Sequence, residues 1–221
     1  MRLQSAIFDM DGTLLDSMGM WHSLGERFLR SQGLEPRERF WEDVRPATLL
    51  EGAAYYKKAY ALPQTPEEIV ALMEKQVEDF YTTQVRAKPG AEKFLSLLKM
   101  EGVWMYVATA TARPLAEAGL RAAGLDGYFR GMLTTGEVGA RKADSAEIFE
   151  RAMTRLRSNK KDTVVFEDAL DAIRTAKAAG FRVAGVYEPL FEADQAEIQA
   201  AADYYIRSFT EMFETRQEGT P

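Results

Sequence analysis

Near its start the chain reads Ala6-Ile7-Phe8-Asp9-Met10-Asp11-Gly12-Thr13, an apolar run that delivers two carboxylates, one residue apart, into a glycine. Ile7 and Phe8 favour extended backbone and are apolar on both faces of the chain, the pattern of a strand buried inside a parallel sheet. Gly12 lets the backbone turn sharply after it. Asp9 and Asp11 then stand at the carboxyl end of that strand. Open α/β sheets bind their ligands in the crevice beyond the strand ends, so these two carboxylates define a candidate active site. Asp-Gly also closes strands with no further role, so the rest of the chain must decide between the two readings.

Working outward, the periodicity changes at once. Trp21, Leu24, Phe28 and Leu29 recur at helical spacing and Gly33 supplies a stop. A helical pattern continues from Pro36 to about Tyr81. It includes the capped start Thr65-Pro66-Glu67-Glu68, followed by an expected buried stripe of Ile69, Leu72, Met73 and Val77. No convincing β run interrupts residues 16–84, which read as an all-helical insertion. Thr82 to Lys88, closed by Pro89-Gly90, reads as the return linker. Strands and helices then alternate. Strands are predicted over 103–109, 131–135, 163–166, 182–186 and 204–206, with helices over 91–101, 113–123, 145–156 and 169–179. The helix at 145 is expected to be capped by Asp144 with Glu147 three residues on. Residues 217–221 read as a frayed tail. Repeated β-α units predict a doubly wound parallel sheet, an α/β Rossmann-like core built from residues 1–15 and 85–221, with the helical cap inserted at 16–84.

Composition bounds the function. With 221 residues, 46% of them hydrophobic, the chain can bury a full core. Its 28 Lys and Arg against 34 Asp and Glu give a formal charge of −6, which repels a nucleic-acid backbone. The absence of cysteine excludes disulfides and thiolate chemistry. No leader-like segment or run of about 18 apolar residues is present, so a cytoplasmic protein is expected, with neither membrane nor nucleic acid as partner. The sequence leaves the oligomeric state open, and a monomer is compatible with it.

Four strand ends carry distinctive groups: Asp9 and Asp11, then Thr109 with Ala110 and Thr111, then Thr134-Thr135 leading to Arg141 and Lys142, then Glu167 with Asp168. A doubly wound sheet lines these ends up along one edge. Four carboxylates there repel one another unless a cation neutralises them, and an oxygen-only set points to a hard ion, Mg2+. A metal-held carboxylate beside a second one suits phosphoryl transfer. Asp9 is the candidate nucleophile and Asp11 the candidate acid and base. Thr109 and backbone N–H groups near Ala110 would hold the phosphoryl oxygens, with Gly12, Thr13 and Thr111 in the same shell. Lys142, or Arg141, would neutralise charge in the transition state.

The set Asp9-Met10-Asp11-Gly12-Thr13, Thr109, a basic residue near 142 and Glu167-Asp168 resembles the four motifs of the haloacid dehalogenase superfamily, in its phosphatase branch. The helical insertion resembles that superfamily's small cap. The resemblance implies Asp9 as nucleophile, Asp11 as acid/base, Asp168 as a metal ligand with Glu167 in the metal's shell, and the main-chain carbonyl of Asp11 on Mg2+. An Asp at 11 separates the chain from the dehalogenase and phosphonatase branches. Gly139-Ala140-Arg141-Lys142-Ala143-Asp144 lacks the proline that follows the family's basic residue. In the related β-phosphoglucomutases a histidine occupies the first cap helix; here Trp21 holds that position and the single histidine, His22, falls one residue beyond it. The expected activity is hydrolysis of a small phosphomonoester, a sugar phosphate or nucleotide, with sugar-phosphate mutase as the alternative. A phosphoacceptor signalling module or a non-catalytic phosphate-binding protein are the readings from other classes. The cap would close over the site, with Trp21, His22 and Arg45 as candidate substrate contacts.

Overall fold

The computed structural model describes residues 3–37 and 48–214. Arg45 and the tail at 217–221 lie outside them. At the centre is β1 (Ser5–Phe8), every residue of which is buried. It pairs in parallel with β2 (Trp104–Thr109) on one side and with β4 (Thr163–Glu167) on the other. Beyond these lie β3 (Met132–Thr134), then β5 (Arg182–Val186) and β6 (Tyr204–Ile206), giving the order β3-β2-β1-β4-β5-β6 with every pairing parallel. The doubly wound α/β class read from the sequence is the class observed.

Alternation along the strands builds two apolar layers. Ile7, Tyr106, Val165 and Val183 are in register and face a layer containing Ile148 and Phe149 of one helix, Ile173 of a second and Ile198 of a third. Phe8, Val107 and Phe166 point the other way. There the Phe8 and Phe166 rings stack at 4.3 Å, and Phe94 stacks on Phe209 at 5.2 Å. Each such ring withdrawn from water contributes about 1.5–3 kcal/mol. The same alternation decides the site, because Asp9 continues the parity of Ile7 and Glu167 that of Val165. The backbone of Gly90 packs so closely on the C-terminal segment that a Cβ there would lie 2.7 Å from the Thr210 nitrogen, and its φ of +80° also requires glycine.

The chain divides into two compact units, one comprising residues up to Ser17 with those from Val85 onward, the other Met18–Gln84. In the second, α1 (Met18–Ser31), α2 (Leu49–Tyr60) and α3 (Pro66–Thr83) are the described helices. Thr65 and Glu68 form the expected reciprocal cap of α3. The buried row of α3 is Ile69, Met73, Val77 and Tyr81, while Leu72 is 41% exposed, contrary to the expected stripe. That row advances four residues at a time and drifts about 40° per step around the helix, away from Leu72, which ends up about 120° from the middle of the row. The helix also runs to Thr83, into the expected linker.

Three further expectations change in the larger unit. Asp144 does not cap the following helix: the amides of Asp144 and Ser145 both turn back onto the Arg141 carbonyl, Asp144 pairs with Arg141, and the helix begins at Glu147 after Ala146. Thr134-Thr135-Gly136-Glu137 opens a four-residue helix, Thr135–Val138, where only a loop was expected. Residues Pro189–Asp194 and Gln195–Ala201 fold into a 3-10 turn and a helix that the sequence pattern did not announce. Among the described residues no helix is long and apolar enough to cross a membrane.

Candidate active site

β1 is the strand at which the order of the sheet reverses, β2 and β3 being added on one side and β4 to β6 on the other, and the crevice at such a switch point is where open α/β sheets bind ligands. The Asp9 amide donates to the Phe166 carbonyl at 2.9 Å, which sets Asp9 beside the end of β4. Carboxylate oxygens of Asp9, Glu167 and Asp168 lie within 4.8 Å of one another, and all three residues are buried. Glu167 is the last residue of β4 and not the first after it, as expected from sequence.

Into this cluster reaches one cation. Lys142 Nζ donates to Asp9 Oδ1 at 2.5 Å and also pairs with Glu167 Oε1. Its side chain is 10% exposed, against 9% for Asp9 and none for Glu167. Arg141 turns outward to Asp144, so the choice between the two basic residues falls on Lys142. The second oxygen of Glu167 accepts the amides of Asp168 and Ala169 at 3.0 and 3.1 Å, and Asp168 Oδ1 accepts the Thr13 hydroxyl at 2.7 Å.

With all three carboxyl groups ionised, the one ammonium would leave two negative charges in a buried pocket. Burial pushes the Asp9 carboxyl up to about 7, with Lys142 opposing the rise and Glu167 reinforcing it. Asp168 is raised well above the ordinary carboxylate range by burial and then by the charges of Glu167 and Asp9. For Lys142 burial works against the ammonium, but Asp9 and Glu167 outweigh it and hold its pKa above the ordinary lysine value.

Asp11 does not join the cluster. Three carboxylates gather there, not the four expected, because the loop after Asp9 turns the second one away. Gly12, at φ +80°, begins a tight return in which the amides of Leu14 and Leu15 both reach the Met10 carbonyl. That return brings Ser17 back to donate to Asp11 Oδ1 at 2.6 Å, while Thr111 donates to Oδ2 at 2.7 Å. The hydroxyls of Thr13 and Thr111, read from sequence as phosphate contacts, are thus directed to Asp168 and Asp11. Thr109 is buried, and its hydroxyl oxygen accepts the Thr111 amide at 3.1 Å, so that N–H serves the loop itself; Ala110 between them is exposed. Ser17 was missed as a site residue. Its signal is its place at the end of the short Gly12 return, six residues after Asp11. In the helical unit, Trp21 Nε1 donates to the Tyr81 hydroxyl at 3.1 Å, and both Trp21 and His22 are half-buried.

An α/β sheet of this order with Asp-x-Asp at its switch strand, a lysine bridging two strand ends and an acidic pair on the neighbouring strand defines a hydrolase of the haloacid dehalogenase type. Residues 3–180 match the family described as haloacid dehalogenase-like hydrolase, and the chain belongs to that family. It is 26% identical over 201 residues to the phosphorylated carbohydrates phosphatase of Thermotoga maritima, covering 90% of this chain and 92% of that one. It is likewise 26% identical over 219 residues to hexitol phosphatase A of Escherichia coli, covering 98% and 96%. Among solved structures, CbbY from Rhodobacter sphaeroides in complex with phosphate superposes with a TM-score of 0.81 at 21% identity, over 96% of each chain, a likeness of fold.

Proposed function

We propose that the protein is a Mg2+-dependent phosphatase that hydrolyses a small phosphomonoester through an aspartyl-phosphate intermediate, acting in the cytoplasm. The observation that supports this reading is the difference in surroundings between two neighbouring carboxylates. Asp9 lies in the buried cluster with Lys142 on one oxygen, and Asp11 stands apart between two hydroxyls.

The donor set fits a hard divalent ion, since it is buried, all oxygen and two charges short of neutral. Asp9 and Asp168 would hold Mg2+, with Glu167 in its shell, and the bound ion supplies positive charge against the phosphoryl oxygens. Thr13 orients Asp168, and the amides of residues 168 and 169 orient Glu167. Lys142 pins Asp9 Oδ1, which fixes the rotation of the carboxylate and presents its other oxygen to phosphorus. As the bond from Asp9 to phosphorus forms, the bond to the leaving oxygen breaks and a proton passes from Asp11 to that oxygen. Asp11, now ionised, takes a proton from water. The water oxygen attacks phosphorus, Asp9 is released, and inorganic phosphate leaves. Thr109, the Ala110 amide and Gly12 line the same strand ends as phosphate-side groups.

The names of the Thermotoga and Escherichia relatives support a sugar or polyol phosphate as substrate class. The core recognises a phosphoryl group alone, so discrimination is assigned to the helical unit, acting as a cap. Hydrolysis of p-nitrophenyl phosphate with and without EDTA tests the reading, alongside Asp9→Asn. Turnover that requires Mg2+ and vanishes in D9N is expected. Undiminished activity in EDTA would sink the mechanism, and a long-lived phosphoenzyme without turnover would favour a signalling role.

A further inference from the structure

Arg113 begins the helix Arg113–Ala122, directly after the Thr109–Ala112 loop at the end of β2. Glu137 sits in the short helix Thr135–Val138 at the end of β3, five residues before Lys142. Their side chains meet in a two-pronged fork, Nε to Oε1 at 2.6 Å and Nη2 to Oε2 at 2.8 Å, and Nη2 also donates to the Met132 carbonyl at 2.9 Å. The same Glu137 carboxylate accepts the Thr134 amide at 3.0 Å, while the Thr134 hydroxyl accepts the Glu137 amide at 3.2 Å. One carboxylate therefore ties the start of the Lys142 segment both to its own strand and to the loop that carries Thr109 and Thr111.

The energetics separate two roles for this pair. Arg113 and Glu137 are 38% and 39% exposed, and an ion pair so open to water adds only about 0–1 kcal/mol to stability. A bidentate fork nevertheless fixes both distance and angle between the groups that bear it. What lies downstream is demanding: after the left-handed turn at Gly139, the chain must deliver one ammonium to both Asp9 and Glu167. We infer that Arg113 and Glu137 are positioning residues, a clamp that holds the Lys142 segment in register with the Thr109–Thr111 loop. For its catalytic consequence this inference rests on the phosphatase reading; for the clamp itself it does not.

Two measurements on the full chain test it, with Arg113→Met, Arg113→Lys, Glu137→Gln and the R113M/E137Q double variant. In hydrogen exchange, the amides of Gly139, Asp144 and Ser145, each bonded within the segment, should exchange up to about fivefold faster in R113M and E137Q, with β5 unchanged. Unchanged exchange there would overturn the clamp, whatever the protein hydrolyses. With p-nitrophenyl phosphate, kcat should fall about tenfold and KM stay within about twofold, while Tm moves by under about 4 °C. R113K should behave like R113M, because lysine keeps the charge and loses the fork. The double variant should be no worse than either single one. Additive losses, or a raised KM at constant kcat, would overturn the positioning role. A wild-type protein without turnover would count against the phosphatase reading and leave the exchange result to decide the clamp.

Discussion

Replacing Lys142 by Met tests how the buried charges are balanced. The side chain contacts Asp9 and Glu167, both essentially inaccessible to water, and supplies the ammonium that pairs with them. Methionine fills similar space and leaves the carboxylates unpaired. Breaking a buried pair by removing one partner costs about 3–5 kcal/mol, whereas replacing both partners by apolar groups does not. In a chain of this size each kcal/mol is worth about 2–4 °C in Tm, so at the lower bound K142M should melt about 6–12 °C below wild type in EDTA at pH 8. The loss should shrink at pH 6, because the Asp9 carboxyl, raised to about 7 even with Lys142 opposing the rise, loses that opposition in the variant and relieves the repulsion by taking up a proton. Mg2+ should restore more stability in the variant than in wild type, since no ammonium competes with the ion for the Asp9 and Glu167 carboxylates there. Thermal melts at both pH values, with EDTA or Mg2+, check each step. A K142M variant within about 2 °C of wild type at pH 8 in EDTA would refute the reasoning, for the lysine would then be neutralising nothing.

Thr13→Val removes the hydroxyl that orients Asp168 and should weaken Mg2+ binding about 10–100-fold with little change in fold, read by isothermal titration calorimetry; equal affinity would show that Asp168 needs no such partner. Because Asp9 and Asp168 are raised by burial, the ion-free folded chain binds more protons than the unfolded chain between the ordinary Asp value of 3.8 and about 7. Its stability contribution from these groups therefore falls as pH rises across that window; melts in EDTA should show this, with a shallower slope in D9N, and a slope no different in D9N would contradict the assignment. With β-glucose 1-phosphate the protein should release inorganic phosphate, as expected where Trp21 stands in the mutase histidine position, and efficient primer-dependent formation of glucose 6-phosphate would reverse the choice.

The strands were the legible part of this chain. Thr163-Val164-Val165-Phe166 and the run before Asp9 admit little but buried parallel strands, and once those are placed the order of the sheet brings their carboxylates together. Side-chain direction was harder to read. The Asp11 carboxylate was expected beside that of Asp9 because it is one pleat away, but the Gly12 return, a matter of backbone path, hands its two oxygens to Ser17 and Thr111, which leaves the expected role of its main-chain carbonyl untouched. The neighbours Arg141 and Lys142 are equivalent by charge, and only the turn onto the Arg141 carbonyl decides which one faces inward. The helix at Thr135 carried a full capping signature at Thr134 and Glu137, yet it is too short to show a period. In Asp144 the opposite occurred, a plausible cap drawn off by an ion pair with Arg141.

The connection to the helical unit has a consequence of its own. The chain leaves the sheet through Leu14–Asp16 and comes back through Arg86–Lys88, and these passages are joined: the Asp16 amide donates to the Arg86 carbonyl at 2.9 Å, the Lys88 amide to the Leu14 carbonyl at 2.8 Å, and Leu15 bridges Ala87 in antiparallel sense. Lys88 is fastened further, through a 2.8 Å ion pair with Glu188 and a 2.8 Å bond to the Tyr187 carbonyl. To the sheet, the unit Met18–Gln84 is an insertion whose two ends are already spliced. Closing such a loop costs entropy that grows only with the logarithm of its length, so its contents are exchangeable at small thermodynamic cost. A chain built this way can trade one helical unit for another, of different size and shape, without re-learning how to fold its sheet.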